Sequence, residues 1–216
     1  MNRIAAAKAK YFTKLDIRWG YNNVHIKEGD EWKAAFQTNR GLFEPLVMFF
    51  GLTNSPATFQ TMMNDLFKTL IDEGVVVVYM DDILIFTESL EQHHETVWNA
   101  LEILRTNHLY LKPEECLFTQ LKVEYLGLIL SQGQVAMDPV KVSGVQDWPI
   151  PRNVTEVKSF LGFINFYQWF IKDFSHIAKP LNQLTKANVS WSWTPDGAEQ
   201  SAFDKLKQLN TDPCAS

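Results

Sequence analysis

The chain has 216 residues, 46% apolar and 21% charged, enough to bury a core and too apolar for an intrinsically disordered protein. Its 20 basic and 25 acidic residues leave a net charge of −5, the wrong sign for a simple nucleic-acid binder. The charge is unevenly spread. Residues 1–40 carry eight basic and four acidic residues (+4), residues 41–137 four and 13 (−9), residues 138–187 six and four (+2), and residues 188–216 two and four (−2). Cys116 and Cys214 have no CxxC spacing, so neither a disulfide framework nor a cysteine metal site is expected. The apolar runs around Leu46–Leu52 and Val75–Met80 are too short to span a membrane, and Ile4–Ala7 is too short for a signal-peptide core. These features predict a soluble, intracellular protein with no membrane partner.

Tyr11–Ile17 reads as the first strand. Tyr21–Ile26 alternates, Glu28-Gly29-Asp30 supplies a turn, and Lys33–Thr38 reads as the returning strand of a hairpin. Ser55-Pro56 opens a helix, with serine as the cap and proline in the first turn. Phe59, Met62, Met63, Leu66, Phe67 and Leu70 form its apolar stripe, and Gly74 ends it. Val75–Tyr79 and Ile83–Phe86 make a second hairpin around Met80-Asp81-Asp82; both runs are apolar throughout, so the hairpin should be central. Ser89 and Gln92 form a capping box for a helix with the stripe Leu90, Val97, Leu101 and Leu104, ending near Asn107. His93-His94 on this helix is expected at the solvated surface, because adjacent helical positions do not face one point. Leu109–Leu111 and Val123–Leu130 read as strands, with Ser131-Gln132-Gly133 as a turn.

The order β-β-α-β-β-α-β-β predicts an α+β fold, an antiparallel sheet packed on two helices. The pattern then turns helical. Pro139, Pro149 and Pro151 punctuate a short helical piece. Asn153 with Glu156 caps a long helix carrying Val157, Phe160, Leu161, Ile164, Tyr167, Ile171 and Phe174. Residues 138–187 are expected to form a small helical module, and the segment with Trp191, Trp193 and Pro195 to begin a further piece.

The chemistry concentrates at Tyr79-Met80-Asp81-Asp82, the tip of an apolar hairpin. Aspartate is ordinary turn chemistry, yet a turn needs only one, and no glycine accompanies this pair. Two adjacent carboxylates repel, and a divalent cation would neutralise them. From the tetrapeptide alone the two readings are evenly matched. Asp16 tips the balance: it ends a strand between Leu15 and Ile17, where an aspartate needs a partner. If Leu15–Ile17 and Val75–Tyr79 are sheet neighbours, Asp16 and Asp81 meet at one edge. Three carboxylates there suit Mg²⁺, a hard ion that takes phosphate oxygens. Two such ions about 3.5–4 Å apart clamp the attacking and leaving oxygens of phosphoryl transfer. The pattern predicts a two-metal nucleotidyl transferase.

Tyr11-Phe-Thr-Lys-Leu-Asp-Ile-Arg18, Met48-Phe-Phe-Gly-Leu-Thr-Asn-Ser-Pro-Ala-Thr-Phe-Gln60, Tyr79-Met-Asp-Asp82, Val123-Glu-Tyr-Leu-Gly127 and Lys158-Ser-Phe-Leu-Gly-Phe-Ile-Asn-Phe-Tyr167 closely resemble the reverse transcriptase of gypsy-type LTR retrotransposons. The resemblance runs from about Ala9 to about Lys207. It implies that Asp16, Asp81 and Asp82 are the catalytic carboxylates. With the Ile17 carbonyl they would hold two Mg²⁺ or Mn²⁺ ions. It implies that the backbone of Trp19 and Gly20 faces the incoming triphosphate. Tyr21 would underlie the sugar and crowd a 2′-hydroxyl, and Phe50 and Gly51 would flank ribose and base. Asn54, Ser55 and Pro56 fall where the family touches the template. Tyr79 and Met80 fall by the primer end, and Tyr125, Leu126 and Gly127 resemble the loop that grips it.

The same resemblance implies a polymerase palm over residues 1–137 and a helical thumb over 138–187. Residues 188–216 would be the truncated start of the connection or ribonuclease H region. The family's fingers, which precede Ala9 and hold the triphosphate with a basic pair, and its ribonuclease H are expected to be absent. Phe49 stands where the family usually has proline, which predicts an impaired fit for the nucleotide. The function expected is RNA-directed DNA polymerisation on an RNA or DNA template–primer, with dNTPs as substrates. The alternative is a weak or inactive remnant that binds nucleic acid or self-associates through surface the fingers would cover.

Overall fold

The computed structural model describes residues 9–209; Cys214 and the rest of the tail lie outside them, as do residues 1–8. The chain divides into two compact units. One comprises the residues up to Tyr125 with Leu130–Val135, the other Leu126–Ile129 with the residues from Ala136 onward. Among the described residues no helix is long and apolar enough to cross a membrane.

The first unit is built on an antiparallel sheet in the order β4-β5-β1-β6, from β1 (Tyr11–Asp16), β4 (Val76–Tyr79), β5 (Asp82–Thr87) and β6 (Leu117–Gln120). The β4–β5 hairpin forms as the sequence indicates, but only β5 is central; β4 is an edge strand and β5 separates it from β1. Helix α1 (Ser55–Leu66), the short α2 (Lys68–Asp72) and α3 (Leu90–Thr106) bring Phe59, Met63, Phe67, Leu70, Ala100 and Leu104 into one core with Leu15, Ile17, Ile83 and Ile85. Phe59, Met63, Ile83 and Ile85 are fully buried, each contributing roughly 1.5–3 kcal/mol.

Three local expectations are corrected. The first hairpin is not Tyr21–Ile26 with Lys33–Thr38. Gly20–Asn23 and Glu31–Ala34 are 3₁₀ turns, and the hairpin is β2 (Phe36–Thr38) with β3 (Gly41–Phe43). The Val24–Ile26 run pairs instead with Leu46–Met48: Ile26 N–H donates to the Leu46 carbonyl (2.9 Å) and Met48 N–H to that of Val24 (2.9 Å). Ser55 does not cap α1; the cap position is Asn54, without a side-chain bond, and Ser55 is buried with its Oγ unpaired. Val123–Leu130 is not one strand. β7 (Lys122–Tyr125) turns through Leu126 and Gly127, at φ of 50° and 76°, into β8 (Leu128–Ser131), and β9 (Gln134–Met137) follows the turn at Gly133.

In the second unit Asp138 caps α4 (Pro139–Gln146), and Asn153 caps α5 (Val154–Asn165) by accepting from the Glu156 N–H at 2.9 Å. The long helix of the sequence reading stops at Asn165. It is followed by a 3₁₀ turn at Gln168–Phe170, a left-handed Asp173 (φ 58°), α6 (Phe174–Ile177) and α7 (Lys179–Leu184). Tyr167 and Ile171 stay buried and Phe174 packs on the same core because the chain folds back, so the apolar spacing survives where the helix does not. Helix α8 (Ala198–Leu209) packs Phe203 and Leu206 with Phe160 and Leu181; the Phe160 and Phe203 rings are 4.6 Å apart.

Candidate active site

β1 pairs on both sides, so its side chains alternate between two faces of the sheet. Leu15 and Ile17 join the core under the helices, as do Ile83 and Ile85 of β5. Lys14 and Asp16 therefore take the other face, with Asp82 and Leu84. The register sets Asp16 directly opposite Asp82. The Ile17 N–H donates to the Asp81 carbonyl at 3.0 Å, which ties the β4–β5 turn to the end of β1. Asp81 faces Gly20: a Cβ built on Gly20 would lie 3.7 Å from Asp81 Cβ and 3.9 Å from its Oδ2.

Asp16 is 7% exposed. Its Oδ1 lies 2.7 Å from Lys112 Nζ, and Asp82 Oδ1 lies 3.4 Å from Lys14 Nζ. Each of these buried oxygens thus faces a lysine ammonium, the close one on Asp16 and a longer, weaker contact on Asp82. Burial raises the Asp82 carboxyl above the usual carboxylate range; Lys14 opposes this, and the Asp16 and Asp81 charges add to it. The Asp16 carboxylate in turn holds the Lys112 ammonium above its usual range. The three carboxylates thus sit within one another's field. Among the described residues, however, no group of three or more His, Cys, Asp or Glu side chains stands in a metal-ligating arrangement.

Trp19 takes a left-handed φ of 60°, leaves its ring 65% exposed, and carries the Arg18 guanidinium 4.3 Å from the ring centre. Tyr21 packs against Phe50 (5.0 Å) and edge-on against the buried Phe59 (5.6 Å, 83°). Phe50 is exposed, and Gly51 at φ 103° occupies a conformation only glycine takes without strain. Asn54 and Pro56 are exposed at the start of α1. Tyr79 is exposed and Met80 is left-handed at φ 56°. Tyr125 is buried, and its hydroxyl donates to the Asp82 carbonyl at 3.3 Å; burial pushes its phenol up. Phe49 lies edge-on to Phe36.

The structure adds residues that the sequence reading passed over. Lys14 was findable, two positions before Asp16 on the same strand face. Lys112 gave no local signal. Gln60 on α1 reaches the Met80 turn. His93 is not surface but fully buried, between Thr13 (Nε2–Oγ1 2.7 Å) and Thr87 (Nδ1–Oγ1 3.0 Å). A cavity of about 870 Å³ in the first unit is lined by Arg18, Trp19, Leu104, His108 and Tyr110 among others, and none of the three aspartates lines it.

Residues 2–130 match the family model described as reverse transcriptase (RNA-dependent DNA polymerase). The chain is 37% identical over 214 residues to the retrovirus-related Pol polyprotein from transposon opus of Drosophila melanogaster, a match covering 96% of this chain and 21% of that protein. It therefore spans about a fifth of the length of this curated relative. A foamy viral protease–reverse transcriptase solved with RNA/DNA hybrid superposes with a TM-score of 0.82 at 25% identity, over 97% of this chain and 28% of that one. A form of that enzyme in complex with double-stranded DNA gives 0.81 at 26%, over 93% and 35%. The carboxylates of β1 and of the β4–β5 turn, the family match and the retrotransposon relative agree with the gypsy-type resemblance of the sequence: the chain belongs to the reverse transcriptase (RNA-dependent DNA polymerase) family.

Proposed function

We propose that this chain is the catalytic part of an RNA-directed DNA polymerase, with a palm over residues 1–137, a thumb over 138–187 and the start of the next region beyond. The observation that carries this reading is the register pair Asp16–Asp82 beside Asp81 at one sheet end, three carboxylates gathered where, among the described residues, only Lys14 and Lys112 offset their charge. Such all-oxygen donors suit Mg²⁺ or Mn²⁺. Asp16, Asp81, Asp82 and the Ile17 carbonyl would hold two ions. Bound there, the ions supply Lewis acidity at the primer 3′-hydroxyl and offset the charge of the leaving pyrophosphate.

The chain's own residues do the positioning. The backbone of Trp19 and Gly20 receives the triphosphate. Tyr21, braced by Phe59, would underlie the sugar and crowd a 2′-hydroxyl, which favours deoxynucleotides. Phe50 and Gly51 border ribose and base. Asn54, Ser55 and Pro56 meet the template. Tyr79, Met80, Tyr125, Leu126 and Gly127 border the primer. The solved neighbours held double-stranded DNA and RNA/DNA hybrid, which supports a template–primer as partner.

A second reading, a self-associating module, draws on exposed apolar side chains around β2–β3: Phe36, Leu42, Phe43, Leu46 and Phe50. Primer extension separates the two. The wild type should extend a primer with Mg²⁺ and dNTPs, and Asp81→Asn should lower the rate at least about a hundredfold. Extension that survives the substitution would mark a contaminant. No extension by either protein, with a dimer or larger species in light scattering, would favour the second reading.

A further inference from the structure

The turn that carries Asp81 and Asp82 is anchored from outside its own strands. Met80, at φ 56°, is in the left-handed region, which a residue with a Cβ occupies only when its surroundings enforce it. A two-residue hairpin loop calls for a positive φ at its first position, and one side chain from outside the hairpin braces it there. Met80 N–H donates to Gln60 Oε1 at 2.8 Å, and Gln60 Nε2 donates to the Val78 carbonyl at 3.2 Å. The same Nε2 donates to Asn64 Oδ1, one helical turn along, at 2.9 Å, which holds the amide in place. β4 is the edge of the sheet, so the Val78 carbonyl and the Met80 N–H meet α1 where another strand would otherwise pair. A carboxamide offers an acceptor oxygen and a donor nitrogen side by side on one carbon, without charge. Only one orientation of it serves both backbone groups.

We propose that Gln60 is a positioning residue for the metal-binding carboxylates: its amide locks the left-handed Met80 and so fixes the direction in which Asp81 and Asp82 leave the turn. The proposal rests on the polymerase reading above and deepens it. Gln60 is bonded to Asn64, Val78 and Met80, none of them a proposed metal ligand. It acts through two backbone groups, one on either side of Tyr79.

The test compares wild type, Gln60→Met, Gln60→Glu and Asp81→Asn by Mn²⁺ titration followed by electron paramagnetic resonance, and by hydrogen exchange at the Met80 amide. Gln60→Met keeps length and packing but offers neither bond. It should expose the Met80 amide, with exchange at least about tenfold faster, and weaken Mn²⁺ binding about five- to tenfold. Gln60→Glu retains the acceptor for Met80 and should keep the amide protected and bind Mn²⁺ no more weakly than wild type. Should Gln60→Met not fold, Gln60→Asn, one carbon too short to span both groups, takes its place with the same expectations. A folded Gln60→Met with Mn²⁺ affinity within twofold of wild type and an unchanged Met80 amide overturns the proposal while Asp81→Asn, losing Mn²⁺, upholds the polymerase reading. Mn²⁺ binding that is absent in wild type, or unaffected by Asp81→Asn, overturns that reading and this proposal together.

Discussion

β1 carries two buried polar sites, one on each face, built to opposite rules. On the helix-facing side lies Thr13–His93–Thr87. The Thr87 hydroxyl donates to the Ser89 carbonyl (3.1 Å), so it accepts from His93 Nδ1. That leaves Nε2 as the acceptor for the Thr13 hydroxyl, while Thr13 Oγ1 accepts from the Thr119 N–H (3.0 Å). Each group in this network has its partner and the imidazole is neutral. On the other face Asp16 and Asp82 face each other, each with one buried oxygen against a lysine ammonium. Satisfaction marks the first as architecture. The second gathers three carboxylates against two lysines, an excess of negative charge that costs stability and that the proposed divalent ions would offset.

Breaking the carboxylate site should abolish chemistry and spare the fold. Asp16→Asn should lower primer extension at least about a hundredfold, because a metal contributes several kcal/mol to such a barrier. It should leave the urea midpoint nearly unchanged, since an amide removes a charge from a place where charge is poorly hydrated. A large loss of stability with extension retained would reverse the assignment of the two sites.

Breaking the histidine site should do the opposite. His93→Ala leaves the Thr13 hydroxyl without its acceptor and opens a cavity, for a loss of about 2–4 kcal/mol. Mn²⁺ affinity should hold in the protein that remains folded. The network also sets a pH dependence. Burial lowers the His93 pKa from 6.5 to about 4, with the His94 charge adding to it. The unfolded chain therefore takes up the proton near pH 6.5 and the native state only near pH 4, so acid favours unfolding between them. The stability from this residue is whole above about pH 6.5 and should fall by about 3 kcal/mol as the pH drops to 4. Urea midpoints measured across that range should flatten in His93→Gln; an equal slope in wild type and variant would refute the role.

The contrast also separates what the sequence could disclose from what it could not. The β4–β5 hairpin, α1 and α3 were legible because long apolar runs and stripes at helical spacing carry their own signal. Asp16, Asp81 and Asp82 stand out as carboxylates among apolar neighbours, and the register brings Asp16 and Asp82 together beside Asp81. His93 was not: a polar residue inside an otherwise amphipathic helix reads as surface until its partners on β1 and β5 are known. The pairing of Val24–Ile26 with Leu46–Met48 skips over β2–β3, and nothing local distinguishes it from the shorter hairpin expected there. The end of α5 at Asn165 was hidden because the apolar spacing continues through the residues that fold back.

Lys112 is the part of the carboxylate site furthest from sequence reasoning, and it yields the smallest effect. Its ammonium lies 2.7 Å from Asp16 Oδ1 and 3.7 Å from Glu115, and its side chain is about 29% exposed. A lysine there neutralises Asp16 when no other cation does, and a divalent ion must displace it or share the oxygen. Lys112→Met keeps the aliphatic stem and removes the competitor, so Mn²⁺ should bind more tightly. The pair is partly solvated, which limits the gain to about 1 kcal/mol, or up to about fivefold in affinity. Tighter binding at low salt that shrinks as salt screens the exposed end of the pair would identify competition. Weaker binding in Lys112→Met would instead mean that Lys112 holds Asp16 in the orientation the metal needs. Lys112 would then belong to the architecture of the site, and the contrast between the faces of β1 would narrow to one of charge, a neutral network against three carboxylates.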